Sequence, residues 1–165
     1  MKKLSGTMVA IMAVAILIGT FITTTYATAG EKARDGRFIA YDNGTVLDTK
    51  TKLIWSAKDN GSVINWADAK SYCENYRGGG YADWRMPTQD ELAGLYEKDK
   101  TNDSVSGQAI HLTKLISLTS FIVWGSDMNS GRYAGISFRR GRVMLLWLPP
   151  SSISDCSVLP VRSGK

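Results

Sequence analysis

The chain is short of the side chains that most often build catalytic and metal centres: its 165 residues include one histidine and two cysteines. A Ser-His-Asp or Cys-His device would have to use His111, and no nucleophile elbow lies near it. Zinc and copper sites draw on His and Cys clusters that this inventory does not supply, so no cofactor is expected. No Gly-Lys-Ser/Thr follows the glycine run Gly78-Gly79-Gly80, which argues against a phosphate-binding loop. A strong charge imbalance is missing too. The formal net charge is +5, too mild to imply nucleic acid. Internal repeats and low-complexity segments are also absent.

Nor is there an apolar run of the ~20 residues that span a bilayer. The longest stretch, Met8 to Ile22, follows Lys2 and Lys3 and precedes Ala27-Thr28-Ala29, the order of a secretory leader. Residues 1–29 are therefore expected to be a signal peptide, cleaved after Ala29, and residues 30–165 one exported domain, periplasmic or extracellular. An uncleaved leader would instead be a membrane anchor. No cysteine sits near the cleavage point, so a lipid-modified terminus is not suggested. The exported part retains 136 residues, enough for a real core. Both cysteines lie in it, where disulfides persist. A Cys73–Cys156 bridge is the economical expectation. It would close 83 residues and stabilise the fold by up to about 4 to 5 kcal/mol. Two unrelated buried thiols are the alternative.

What is present begins with short β-rich runs: RFIAY, TVLD and KLIWS, separated by Asp42-Asn43-Gly44 and Thr49-Lys50, which read as hairpin turns. Asn65 can cap a helix over WADAKSYCENY, with Trp66, Ala69, Tyr72, Cys73 and Tyr76 on one stripe. Gly78 to Gly80 end it. Thr88-Gln89-Asp90-Glu91 is a capping box that opens a second helix reaching about Glu97, with Pro87 just outside. The segment HLTKLISLTS reads as loop with one short helix. FIVWGSD, RYAGISF and VMLLWL follow as strands, with a turn at Arg140-Gly141, and SVLPVR supplies a last short one.

Two groups of residues invite a ligand. Asp59, Asn60, Asp103, Asp127 and Asn129 are loop oxygens that calcium could use, although turn chemistry explains them equally. Arg139, Arg140 and Arg142 surround a glycine, and Arg132 lies just upstream. Guanidinium groups this close favour sulfate, carboxylate or phosphate through forked hydrogen bonds, with a solvated hairpin tip as the plain alternative. Trp124 and Trp147 could stack on sugar faces, although tryptophans among apolar strand residues read first as packing.

At GGGYADWRMPTQDEL the sequence resembles the Lcl C-terminal domain family. The motif elements are Gly44 to Trp55, Trp66 to Cys73, Gly79 to Leu92, Trp124 to Ser126 and Val158 to Arg162. The resemblance implies an α+β fold of the C-type-lectin-like kind, similar to formylglycine-generating enzymes, with two helices on a small twisted antiparallel sheet and long loops. It also implies binding rather than catalysis, because the ligand class of relatives is sulfated or otherwise acidic polysaccharide.

On this reading Trp66, Asp83, Trp84, Arg85, Pro87, Thr88 and Glu91 are scaffold, with Asp83 and Arg85 bracketing Glu91. Trp84 anchors the turn in the core. Arg85→Ala is then expected to destabilise by about 3 to 5 kcal/mol. The ligand would meet Arg132, Arg139, Arg140 and Arg142, with Trp124, Asp127 and Asn129 alongside. A second expectation is an envelope protein partner seated on VMLLWLPP. An enzyme of the sulfatase-modifying type ranks last. Relatives write Trp-Ser-Ser where this chain has Trp124-Gly125-Ser126, a departure that bears on the ligand more than on the fold.

Overall fold

The computed structural model describes residues 29–139, 144–149 and 156–164. The expected leader, up to Thr28, lies outside them, as do Arg140, Gly141 and Arg142. The described residues form an α+β domain with two α-helices and three sheets. Their first sheet follows from the hairpin signals. Strands β1 (Glu31–Asp35), β2 (Phe38–Tyr41), β3 (Thr45–Asp48) and β4 (Leu53–Ser56) pair antiparallel in chain order, and β11 (Val161–Ser163) adds to β4. Gly44 turns the β2–β3 connection at φ 79°, a left-handed value that glycine adopts without steric cost. Alternation along these strands sends Phe38, Val46 and Trp55 into the main core.

Strand β1 was not legible, because EKARD carries charge at four of five positions and has no buried face. Pairing with β2 supplies what composition did not. The small hairpin β5 (Asn102–Asp103) with β6 (Ala109–Ile110) also lay hidden, around the polar stretch Asp103 to Gln108.

Helix α1 (Trp66–Asn75) starts where Asn65 accepts a hydrogen bond from the Asp68 N–H. Helix α2 (Gln89–Leu95) has the full capping box: the Thr88 side chain accepts from the Glu91 N–H, and the Glu91 carboxylate from the Thr88 N–H. It ends two residues before the expected Glu97. There Tyr96 becomes extended at ψ 128°, and the Glu97 N–H turns to the His111 carbonyl. The segment HLTKLISLTS contains no helix. Its Leu112, Ile116 and Leu118 drop into the main core, so burial rather than backbone periodicity fixes its path.

The remaining sheet has the order β10-β7-β8-β9, with β7 (Ile122–Asn129), β8 (Arg132–Ser137), β9 (Met144–Leu148) and β10 (Cys156–Ser157). The single small antiparallel sheet that was expected is thus three sheets, and the β10–β7 pairing is parallel. Strand β7 divides the interior. Val123 points into the main core with Leu92, Leu95, Ile136 and Phe138, while Trp124 points into a second cluster with Ala69, Cys73, Met86, Cys156 and Val158.

No disulfide joins Cys73 and Cys156, contrary to the sequence expectation, although both are buried in that second cluster. A thiol in such surroundings packs as a small apolar group. Burial, with a lesser push from the Glu74 charge, drives the Cys73 thiol up to about 12.

The end of the chain ties the layers together. Arg85 and Val161 exchange both backbone hydrogen bonds, at 2.9 and 3.0 Å, so the segment before α2 is stitched to β11. The three glycines belong to this joint. Gly79 holds φ 66°, and a Cβ there would lie 2.6 Å from Thr45 Cγ2, closer than real contacts allow. The glycine run is scaffold because the backbone has no room for a side chain at Gly78 and Gly79, and Gly80 holds a left-handed φ of 80°.

Candidate functional site

The most irregular place in the second sheet is also its best-tied. Strand β7 pairs regularly with β8 up to Trp124↔Gly135, and pairing resumes only at Met128↔Tyr133. Gly125, Ser126 and Asp127 therefore face the single residue Ala134, forming a bulge of the kind that re-aims side chains beside functional sites. Each bulge residue is fastened elsewhere. The Gly125 carbonyl accepts from Trp66 Nε1 at 2.8 Å, the Ser126 N–H donates to the Pro87 carbonyl at 2.7 Å, and the Asp127 carboxylate accepts from the Gln89 N–H at 2.5 Å. Glycine at 125 has a local cause, since a Cβ would meet Ala134 Cβ at 3.3 Å and Gln89 N at 3.4 Å.

Beside the bulge is a cleft of about 380 Å³ lined by Trp66, Lys70, Glu74, Arg85, Met86, Thr88 and Ser126. Trp66 opens α1, and its indole stacks on Tyr133 with ring centroids 4.2 Å apart. Lys70, one turn on, holds its ammonium 5.9 Å from the indole centroid, and Glu74 follows one turn later at 4.0 Å from that ammonium, both well exposed.

Arg85 grips Glu91 with a fork: Nη1 to Oε2 at 2.7 Å and Nη2 to Oε1 at 2.5 Å. Its side chain stays 42% exposed against 21% for Glu91, and it lines the cleft. Burial pushes the Glu91 carboxyl up, but hydrogen bonds from Arg85 and the Thr88 N–H, with the Arg85 charge, outweigh it and leave the group below its ordinary value. The hydrogen bond to Glu91 correspondingly raises Arg85. Arg85 therefore stays charged across the neutral range.

The stretch from residue 44 to residue 162 matches the family model of the Lcl C-terminal domain. The chain belongs to the Lcl C-terminal domain family. No curated protein and no solved structure matches it. In this Lcl C-terminal domain, three separated motif elements, those holding Trp66, Arg85 with Thr88, and Ser126, meet at the one cleft.

Sequence reasoning had placed the ligand elsewhere; Arg140 and Arg142 of that set lie outside the described residues, and the geometry separates the others. Trp124 is fully buried and donates from Nε1 to the Ile64 carbonyl at 2.7 Å; it is core. Asp127 caps the start of α2, and Asn129 sits at the exposed end of β7, accepting from Ser130 Oγ. Arg132 opens β8 and donates to the Trp147 carbonyl at 3.3 Å. Arg139 lies just past the other end of β8, its guanidinium carbon 5.3 Å from the Phe121 ring centroid. A strand rises about 3.3 Å per residue, so Arg132 and Arg139 are roughly 20 Å apart.

Asp59, Asn60 and Asp127 among the calcium candidates are spent locally. Asp59, for instance, accepts from the Gly61 and Thr119 N–H groups and from Thr119 Oγ1. No group of three or more His, Cys, Asp or Glu side chains that could hold a metal occurs among the described residues, and no helix there is long and apolar enough to cross a membrane.

The scaffold set needs one correction. Asp83 does not bracket Glu91; it forks with Arg162 at 2.7 and 3.0 Å, because Trp84 turns inward to donate to the Gly78 carbonyl and sends its two neighbours to different partners. Arg85, read as half-buried scaffold, also lines the cleft, as does Trp66. Lys70, Met86 and Ser126 were missed as cleft residues. Lys70 had a signal, since a cation four residues after a helix-starting tryptophan shares its face. Ser126 had none, because a bulge cannot be read from one strand alone.

Proposed function

We propose that this Lcl C-terminal domain is an exported, non-catalytic module on a C-type-lectin-like scaffold that binds acidic or sulfated glycan in the cleft beside the β7 bulge. One observation carries the reading: an indole braced by Tyr133, two cations and two hydroxyls surround a single cavity. A sugar ring offers an apolar face for the indole edge, sulfate or carboxylate takes Lys70 and Arg85, and ring hydroxyls meet Thr88 and Ser126. The exposed Lys70–Glu74 pair at 4.0 Å is weak enough for a ligand anion to displace.

Dextran sulfate titrated onto the full chain should bind with a steep salt dependence, and Lys70→Ala should weaken it several-fold. Binding indifferent both to salt and to Lys70→Ala would refute the cleft. If Arg139→Ala with Arg140→Ala abolished binding while Lys70→Ala did nothing, the segment after β8 would carry the site instead.

A second reading, an envelope protein-interaction surface, is favoured by the position of β9. It is the terminal strand of its sheet among the described residues, and Trp147 on it is 38% exposed. Light scattering at rising concentration, compared with Trp147→Lys, tests it: an unchanged monomer mass with no captured envelope partner removes this reading.

A further inference from the structure

The outer face of the five-stranded sheet carries a second, larger groove whose chemistry differs from that of the cleft. Its volume is about 410 Å³, within the range of small-molecule sites, and Leu47, Ile54, Tyr41, Tyr81, Lys52 and Gly164 are among its lining residues. Leu47 and Ile54 are cross-strand partners in β3 and β4, so they form a continuous apolar floor. Tyr81 is a fixed wall: the Arg162 guanidinium lies 3.9 Å from its ring centroid and is itself held in the fork with Asp83.

Thr45 and Asn43 in this wall are already engaged, which leaves the two tyrosine hydroxyls and Lys52 as its polar groups for a ligand. Thr45 Oγ1 donates to Asn43 Oδ1 at 2.8 Å, and Asn43 Nδ2 to the Gly79 carbonyl at 3.3 Å. A floor of Leu47 and Ile54 flanked by two aromatic rings offers mainly apolar contact. A compact apolar body is well served.

Lys52 sets the remaining requirement. It is the one lining residue that carries a side-chain charge, and its ammonium makes no ion pair among the described residues. Its backbone stands at φ 61°, a left-handed position that glycine or asparagine would fill at less cost. Such outliers persist where surrounding structure holds them and gather at ligand clamps. Here the Gly164 N–H donates to the Lys52 carbonyl at 2.8 Å, and any Cβ on Gly164 would stand 2.5 Å from that oxygen. The end of the chain thus pins a cation at the groove in place of a residue that would fit the turn better.

We propose that this groove binds a monoanionic amphiphile, an apolar body of aliphatic or aromatic carbon ending in a carboxylate, with the body on Leu47 and Ile54 between the tyrosines and the carboxylate on Lys52. Sodium octanoate is a suitable probe, titrated calorimetrically onto the full chain beside octylammonium and 1-octanol. Octanoate should saturate at one per chain, octylammonium should not, and Lys52→Met should weaken octanoate by about tenfold, the worth of one charge-assisted hydrogen bond.

Lys52→Arg, which keeps the cation, should retain binding, and Leu47→Ala should weaken it, so the result stands even if Lys52→Met folds poorly. Absence of saturation by octanoate overturns the proposal. Equal binding of octanoate by Lys52→Met and wild type, or of octylammonium and octanoate by the wild type, also overturns it as mere partitioning. Dextran sulfate binding at the cleft uses other residues, so either proposal can fail without the other.

Discussion

The two large sheets of this domain are built on opposite plans. In the five-stranded sheet, β1 to β4 follow one another through tight turns, each strand pairs with its chain neighbour, and the one non-local addition is β11 on β4. In the four-stranded sheet, β7 is slipped by a bulge, β10 arrives from far along the chain and pairs parallel, and both faces are buried against different clusters. The five-stranded sheet keeps near-regular pairing, with a register shift in β1 and a backbone tie from β11 to Arg85, and leaves a groove on its outer face. The bulged sheet hands unpaired backbone groups to Trp66 and Pro87 and the Asp127 carboxylate to the Gln89 N–H, and that exchange gathers cations, an indole and hydroxyls around one cleft. Irregularity in β7 is thus what brings residues from two other segments together.

The contrast breaks most severely at the joint between the sheets. Gly79→Val should cost about 3 kcal/mol, combining the penalty of a left-handed backbone with a contact that neither Thr45 nor the backbone can relieve; chemical denaturation would show it as a lower midpoint at constant slope. A loss under 1 kcal/mol would mean that the joint is soft. Next in size is Asp127→Ala, which removes the carboxylate from the Gln89 N–H and should cost about 1 to 2 kcal/mol, again read by denaturation. An effect of similar size on cleft binding would show that the bulge positions Ser126.

Arg85→Met should cost about 1 kcal/mol, well below the 3 to 5 expected for a buried pair, because 42% of the Arg85 side chain is exposed. The pair also sets a pH dependence. Glu91 ionises below its ordinary value of 4.5 in the fold, so its contribution to stability is complete above that pH and disappears as pH falls through the lowered folded value. Asp35, lowered from 3.8 first by its hydrogen bond from Lys100 and next by that from Thr113, contributes in the same direction. Glu91→Gln should flatten the acid limb of a stability–pH curve, and an unaltered limb would assign it to other carboxylates.

The smallest expected effect is chemical. With Cys73 pushed up to about 12, a thiol reagent at pH 8 should react slowly with the folded protein, and unfolding without reductant should release two thiols per chain. Release of none would mean that a crosslink forms in the protein as isolated.

Legibility in the sequence followed the same divide. Hairpin turns and helix caps are local chemistry, so Asn43-Gly44, Asn65 and the Thr88–Glu91 box were readable from spacing alone. The family motif was readable too, and its match from 44 to 162 bears that out. What escaped depends on partners distant in the chain: β1 needs β2, the Asp83–Arg162 fork joins residues 79 apart, and the bulge exists only relative to β8. Of the arginine set only Arg132 and Arg139 are described, and these two, close in sequence, stand at opposite ends of one strand. Trp124 looked available for stacking because a strand pattern does not reveal that both faces of β7 are covered.

The most direct test of the cleft as the binding site is a nuclear magnetic resonance titration of the labelled chain with a defined sulfated oligosaccharide. The account predicts saturable shifts for the Trp66 indole N–H and the Lys70 and Ser126 amides, with Arg132 and Trp147 unmoved. Shifts confined to Arg132, Arg139 and Trp147, with the Trp66 indole unchanged, would contradict it.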